Sequence, residues 1–156
     1  MNLQARIGSA LRAKRWKGIP PLLKEMGFAE PQRVLVNLRH LHQQEAMRDA
    51  LPMLLSLCAS SPDPDLALHG FESVASAPGS VLGALRGDDR ALGTLASAFA
   101  LSPYFTTLLV RNPHALQWLF CEGGITIRRE GGDSLTALRA FAEPIRDFAD
   151  LCAKLR

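Results

Sequence analysis

This sequence predicts an all-α fold: a compact array of about seven to nine mostly short helices with proline-initiated corners and no significant sheet. Three observations carry the expectation. Apolar residues recur at spacings of three and four along nearly the whole chain. Period-two alternation occurs only at Ile125-Thr126-Ile127, hemmed in by Gly123-Gly124 and Gly131-Gly132, which makes residues 122–133 a turn-rich connection or at best a tiny hairpin. Many of the prolines stand where a helix would start, often behind a residue able to cap it.

The elements follow in order. A basic first helix is expected over Leu3 to Lys17. Pro20 or Pro21 opens a short second one through Leu22, Leu23 and Met26, closed by Gly27. Proline suits a first helical turn because its missing N–H would have had no intrahelical partner there. Pro31 starts a third, with Val34, Leu35, Leu38, Leu41 and His42 on one face. A further helix begins near Leu51-Pro52 and carries Leu54, Leu55, Leu57 and Cys58.

Four proline steps then repeat one logic: Ser61-Pro62, Ala77-Pro78, Ser102-Pro103 and Asn112-Pro113. Proline pushes the residue before it out of helical geometry, so the preceding helix must end there. At three of the four that residue has a side-chain oxygen that can accept a first-turn N–H. Phe99 to Phe120 therefore reads as three helix pieces joined by near-minimal turns, apolar enough to be buried on more than one side. A last helix opens at Asp133 or Ser134 with Leu135, Leu138, Phe141, Ile145, Phe148, Cys152 and Leu155 as its stripe. Pro144 inside it predicts a kink near Ala140 to Pro144. The stripe runs on to Arg156, which reads as a chain that continues.

With 156 residues the chain is expected to form one helical domain with a real core. No apolar run reaches the roughly 18–20 residues a bilayer crossing needs, and no apolar leader follows the start, so a cytoplasmic protein without a membrane partner is expected. Three scattered cysteines, Cys58, Cys121 and Cys152, each sit in an apolar helical pattern and read as buried thiols in a reducing compartment, not as zinc ligands. The net charge of +3 is mild but lopsided: before Glu25 there are Arg6, Arg12, Lys14, Arg15, Lys17 and Lys24 and no acid. Only Trp16 is interleaved as an aromatic and no nucleic-acid motif follows, so this is read as a solvated first helix and no nucleic-acid partner is expected.

Candidate chemistry is thin. Asp63-Pro64-Asp65 has the DxD pattern that holds metals in nucleotidyltransferases, but prolines flank the first Asp at a helix start, where carboxylates cap. Asp88-Asp89 after Gly87 is read the same way. His40 and His42 lie two apart and face different ways on a helix, and His69 and His114 are isolated. Ser9, Ser56 and Ser80 have no nucleophile-elbow context, and the glycine pairs lack the Lys-Ser/Thr of a phosphate loop. Leu116, Trp118, Leu119 and Phe120 are read as packing. The sequence thus assigns no catalytic, cofactor-binding or metal-ligating residue.

Two segments nevertheless resemble a known family. Ser102-Pro103-Tyr104-Phe105 to Leu108-Leu109-Val110-Arg111-Asn112-Pro113, continuing to Leu116 and Trp118-Leu119-Phe120, is similar to the SPYL, LLVRHPE and LLDWLF pattern in the N-terminal helical region of bacterial glutamine synthetase adenylyltransferase/deadenylylase. Ser60-Ser61-Pro62-Asp63-Pro64-Asp65 with Ala67-Leu68 and Phe71-Glu72 resembles the SPDPDxAL segment of the same family. The two occur in the family's order, and the likeness covers about Met26 to the C-terminus. Asn112 stands where the family has histidine, and His114-Ala115-Leu116-Gln117 replaces a more acidic stretch.

The resemblance implies the helical N-terminal part of a longer bifunctional enzyme. That enzyme transfers AMP from ATP to a tyrosine of glutamine synthetase, removes it by phosphorolysis, requires Mg2+ and answers to glutamine and the PII signalling protein. The family's glycine-rich turn, serine and strand-borne DxD are absent from this sequence, so no catalytic residue carries over and the chain alone is expected to be inactive. The alternative is a free-standing helical protein-interaction module with no enzymatic activity.

Overall fold

The computed structural model describes residues 3–120. Cys121, the 122–133 connection, the last helix with its expected kink and Cys152 lie outside the described residues. Among the described residues the fold is all-α, with no strand. The helices are α1 (Leu3–Arg12), α2 (Ile19–Glu25), α3 (Pro31–Gln43), α4 (Glu45–Arg48), α5 (Leu51–Ala59), α6 (Pro64–Ser76), α7 (Asp89–Leu101), α8 (Pro103–Arg111) and α9 (Pro113–Phe120), with 3-10 turns at Trp16–Gly18 and Leu82–Leu85. Proline occupies the first or second residue of α2, α3, α5, α6, α8 and α9, as its chemistry favours.

Helix α6 is the hub and packs against α3, α5, α7 and α8, while α1 packs against α2 and α5. Its buried face is Ala67, Leu68, Gly70, Phe71, Val74 and Ala75. Leu38, Leu54, Leu55, Leu95 and Phe99 reach it fully buried from the neighbouring helices. Phe71 meets Phe99 edge to face at 5.1 Å, and Phe99 lies 6.0 Å from Phe105 of α8. Gly70 is what lets α6 and α7 come together: a Cβ there would sit 2.5 Å from Phe99 Cγ and 2.7 Å from its Cβ.

Several local expectations change. Helix α1 stops at Arg12, not Lys17, because Lys14 adopts φ +54 and closes the helix in a Schellman arrangement, with Lys14 N–H on Leu11 O at 3.1 Å and Arg15 N–H on Ala10 O at 2.9 Å. Pro62 starts no helix; α6 opens two residues later at Pro64, capped by Asp63, whose carboxylate accepts the Leu66 N–H at 2.9 Å. Pro78 leads into a turn through Gly79 (φ +74), not a helix. Of the three proposed caps before proline only Ser102 acts as one, accepting from Phe105 N–H at 3.2 Å. The Ser61 hydroxyl donates back to Cys58 O, and the Asn112 amide donates back to Leu108 O, so both finish the helix behind them. Asp88 caps α7 as expected, accepting from Ala91 N–H at 2.9 Å.

The α7–α8–α9 run has single-residue joints at Ser102 and Asn112, and the chain turns by 118° between α7 and α8. Its burial is one-sided at the joint: Leu109 and Leu116 are buried, but Leu101 is 71% exposed, Tyr104 76% and Trp118 40%. No single described helix is long and apolar enough to cross a membrane.

Candidate functional site

The metal-like Asp63-Pro64-Asp65 pattern sits where α6 begins, beside the entrance to α3. A groove of about 210 Å³ runs there, lined by Glu30, Arg33, Val34, Asn37, Asp63, Asp65, Leu66 and His69. Asp63 spends an oxygen on its own helix cap. Asp65 reaches across to the segment before α3, its Oδ2 accepting from Ala29 N–H at 2.8 Å and its Oδ1 from Glu30 N–H at 2.9 Å. Helix α3 has no side-chain cap of its own at Glu30, and Asp65 instead ties down the two amides just before its first turn from a neighbouring helix. The pair is a clamp between α6 and α3: a metal would have to compete with short charge-assisted bonds to the backbone.

Further along the same interface the structure assembles a cluster invisible in the sequence. His40 of α3 and His69 of α6 both turn towards Glu72, with His40 Nδ1 at 3.1 Å from Oε1 and His69 Nδ1 at 4.0 Å from Oε2. The Ser76 hydroxyl donates to Oε1 at 3.3 Å. Residues 69, 72 and 76 are neighbours by helical spacing, but His40 arrives only through the α3–α6 packing. A serine–histidine–acid relay needs the hydroxyl bonded to the imidazole; here the hydroxyl and one imidazole both bond to the acid, so no imidazole is placed to take the Ser76 proton. Among the described residues no group of three or more His, Cys, Asp or Glu side chains is arranged to hold a metal ion.

His42 lies elsewhere, edge-on to Trp16 at 5.1 Å, with the Arg39 guanidinium 5.5 Å above the indole. Burial, then the charges of Arg48 and Lys14, push its imidazole below its ordinary pKa. Cys58 is completely buried, and burial pushes its thiol far up, so it is a hydrophobe and not a nucleophile. His114 has no partner among the described residues. Among the described residues the one buried side-chain polar atom without a hydrogen bond is Thr106 Oγ1 on α8.

Comparison with protein-family models, curated proteins and solved structures returns no match to this chain.

Proposed function

We propose that this chain is the non-catalytic N-terminal helical part of an enzyme that adenylylates and deadenylylates glutamine synthetase in nitrogen regulation. ATP and Mg2+ would serve catalytic halves carried on other polypeptide, with glutamine synthetase and the PII protein as the enzyme's partners. The observation supporting this reading is what its two signature segments do. They lie on α6 and α8–α9, and α6 packs directly on α8. Their distinctive residues are spent on capping and core: Asp63, Asp65, Leu68, Phe71, Ser102, Leu109 and Leu116. Residues chosen for holding helices together suit a scaffold whose chemistry lies elsewhere.

Two measurements test it. The chain mixed with ATP, Mg2+ and glutamine synthetase should transfer no AMP; measurable transfer would overturn the assignment. The coding frame beyond Arg156 should continue into a glycine-rich turn, a serine and a strand-borne DxD, whereas a stop codon directly after Arg156 would replace this reading with the free-standing interaction module. That second reading draws support from the exposed apolar side chains Leu101, Tyr104 and Trp118 along α7 to α9.

A further inference from the structure

We propose that the groove between the C-terminal ends of α1, α3 and α4 and the start of α5 is a binding site for a small phosphorylated anion, held by Arg12, Lys14 and Arg48. The inference is independent of the adenylyltransferase reading.

The groove measures about 280 Å³ and is lined by Gly8, Leu11, Arg12, Lys14, His42, Arg48, Asp49 and Pro52. That volume admits a phosphoryl group with a small organic remainder. Three permanent cations line it against the single carboxylate of Asp49. Among the described residues none of the three has a carboxylate partner, although Arg6 and Arg33 are paired elsewhere on the surface. Arg48 is oriented by its Nε donating to His42 O at 3.1 Å, which leaves the terminal N–H groups of its fork for a ligand. Arg12 lies over Gly8, its guanidinium 3.6 Å from the position a Cβ would take there, while Pro52 packs at 3.5 Å from the same point. Two planar forks and a point-charge ammonium are the donor set that suits phosphate oxygens.

The location has a plainer explanation, since cations are favoured at helix C-termini. Lys14 argues for more. It occupies the left-handed position of the α1 Schellman turn, φ +54, where glycine carries no steric cost. What lysine adds over glycine at that point is a cationic side chain among the residues that line the groove. Burial, then the charges of Arg48 and Lys14, hold His42, which also faces Trp16, below its ordinary pKa. Stacking of a nucleobase is disfavoured because Trp16 is already engaged by His42 and Arg39, which points to a small anion and not to a polynucleotide.

The test is titration of the whole chain with inorganic phosphate, a phosphomonoester and a single-stranded oligonucleotide at about 20 mM salt, where screening is weak, reading the His42 ring resonances and calorimetric heat. Saturable binding of phosphate or the monoester, with the His42 pKa rising in the complex, is expected. The tighter of the two identifies the source, free phosphate or an esterified ligand. Arg12→Gln and Arg48→Gln should each weaken binding about tenfold, while Arg111→Ala, on a distant exposed helix end, leaves it unchanged. Lys14→Gly should weaken binding and raise Tm by about 2–4 °C, a combination that loss of structure does not produce. No saturable phosphate binding, equal losses from Arg111→Ala, or binding of the oligonucleotide alone would each overturn the proposal.

Discussion

Replacing Gly70 by alanine tests the tightest contact in the fold. On an isolated helix the change is favourable by about 1 kcal/mol, because glycine is the weakest helix former after proline. In this structure the new methyl would lie 2.5 Å from Phe99 Cγ, 2.7 Å from its Cβ and 2.8 Å from Cδ2. Ordinary contact begins near 3.4 Å, so the deficit is about 0.9 Å at its worst. Ring rotation cannot relieve it, because Phe99 Cβ is fixed by the α7 backbone. Phe99 is fully buried between Phe71 and Phe105, so α6 and α7 must separate along their length. Overpacking costs about 1–3 kcal/mol; with the backbone-fixed Phe99 Cβ at 2.7 Å the cost falls at the top of that range, and after the propensity gain of about 1 kcal/mol a net loss of about 2 kcal/mol remains. Urea denaturation followed by far-ultraviolet circular dichroism reads it as a fall in midpoint at constant slope. Phe99→Ala, which removes Cγ and Cδ2, two of the three clashing atoms, should also destabilise on its own, by leaving a cavity. The double variant should be less destabilised than the sum of the two, with a coupling of about 1 kcal/mol or more. A Gly70→Ala protein as stable as the parent would show that the α6–α7 approach is not close and would refute the packing argument.

Other perturbations separate the remaining arguments. Asp65→Ala should cost about 1 kcal/mol by removing two charge-assisted bonds to the exposed Ala29 and Glu30 amides, which water then takes up, and Asp65→Asn roughly half of that because its amide keeps one acceptor oxygen; equal stability of both variants with the parent in urea would sink the clamp. Thr106→Val should be stabilising by about 1 kcal/mol, since the buried hydroxyl has no partner, and a loss in thermal midpoint would show that the hydroxyl is bonded. The lowered pKa of His42 means that the unfolded chain binds the proton first as pH falls, so this residue erodes stability below about pH 6.5 and contributes nothing above it; His42→Gln should flatten the midpoint-against-pH curve in that window, and an unchanged curve would contradict it. With Cys121 and Cys152 replaced by serine, the Cys58 thiol should resist a disulfide reagent at pH 8 until the protein is unfolded; rapid labelling of the native protein would place Cys58 at the surface.

How much of this was legible in the sequence depends on which residues carry it. Helix class and most boundaries follow from local chemistry: proline dictates where α3 and α8 begin, and glycine at 27 ends the α2 turn with φ +95. At Asn112 two helices compete for one side chain, and the helix behind wins with its orphan carbonyl; at Ser61 the hydroxyl likewise turns back, because no helix opens at Pro62. Capping rules score the helix ahead and do not register that competition. Lys14 misled for a related reason: a lysine at the left-handed position looks like helix continuation until the Arg15 N–H is seen to fold back onto Ala10 O. The four-residue α4 was illegible because so short a helix rests on what packs around it, and Met47 alone is buried there.

The site-level features were hidden by distance along the chain. Asp65 and Glu30 are separated by 35 residues, and His40 and Glu72 by 32, so neither pairing has a spacing to read. Both are created by one event, the docking of α3 on α6. This has a consequence for the DxD-like pattern: the same three letters can hold a cation or knit two helices, and the choice turns on whether backbone N–H groups reach the carboxylates first. Here they do, at 2.8 and 2.9 Å, because the docking of α3 on α6 brings the Ala29 and Glu30 amides to Asp65. In this chain Asp63-Pro64-Asp65 is therefore a way of joining helices, whatever chemistry accompanies it.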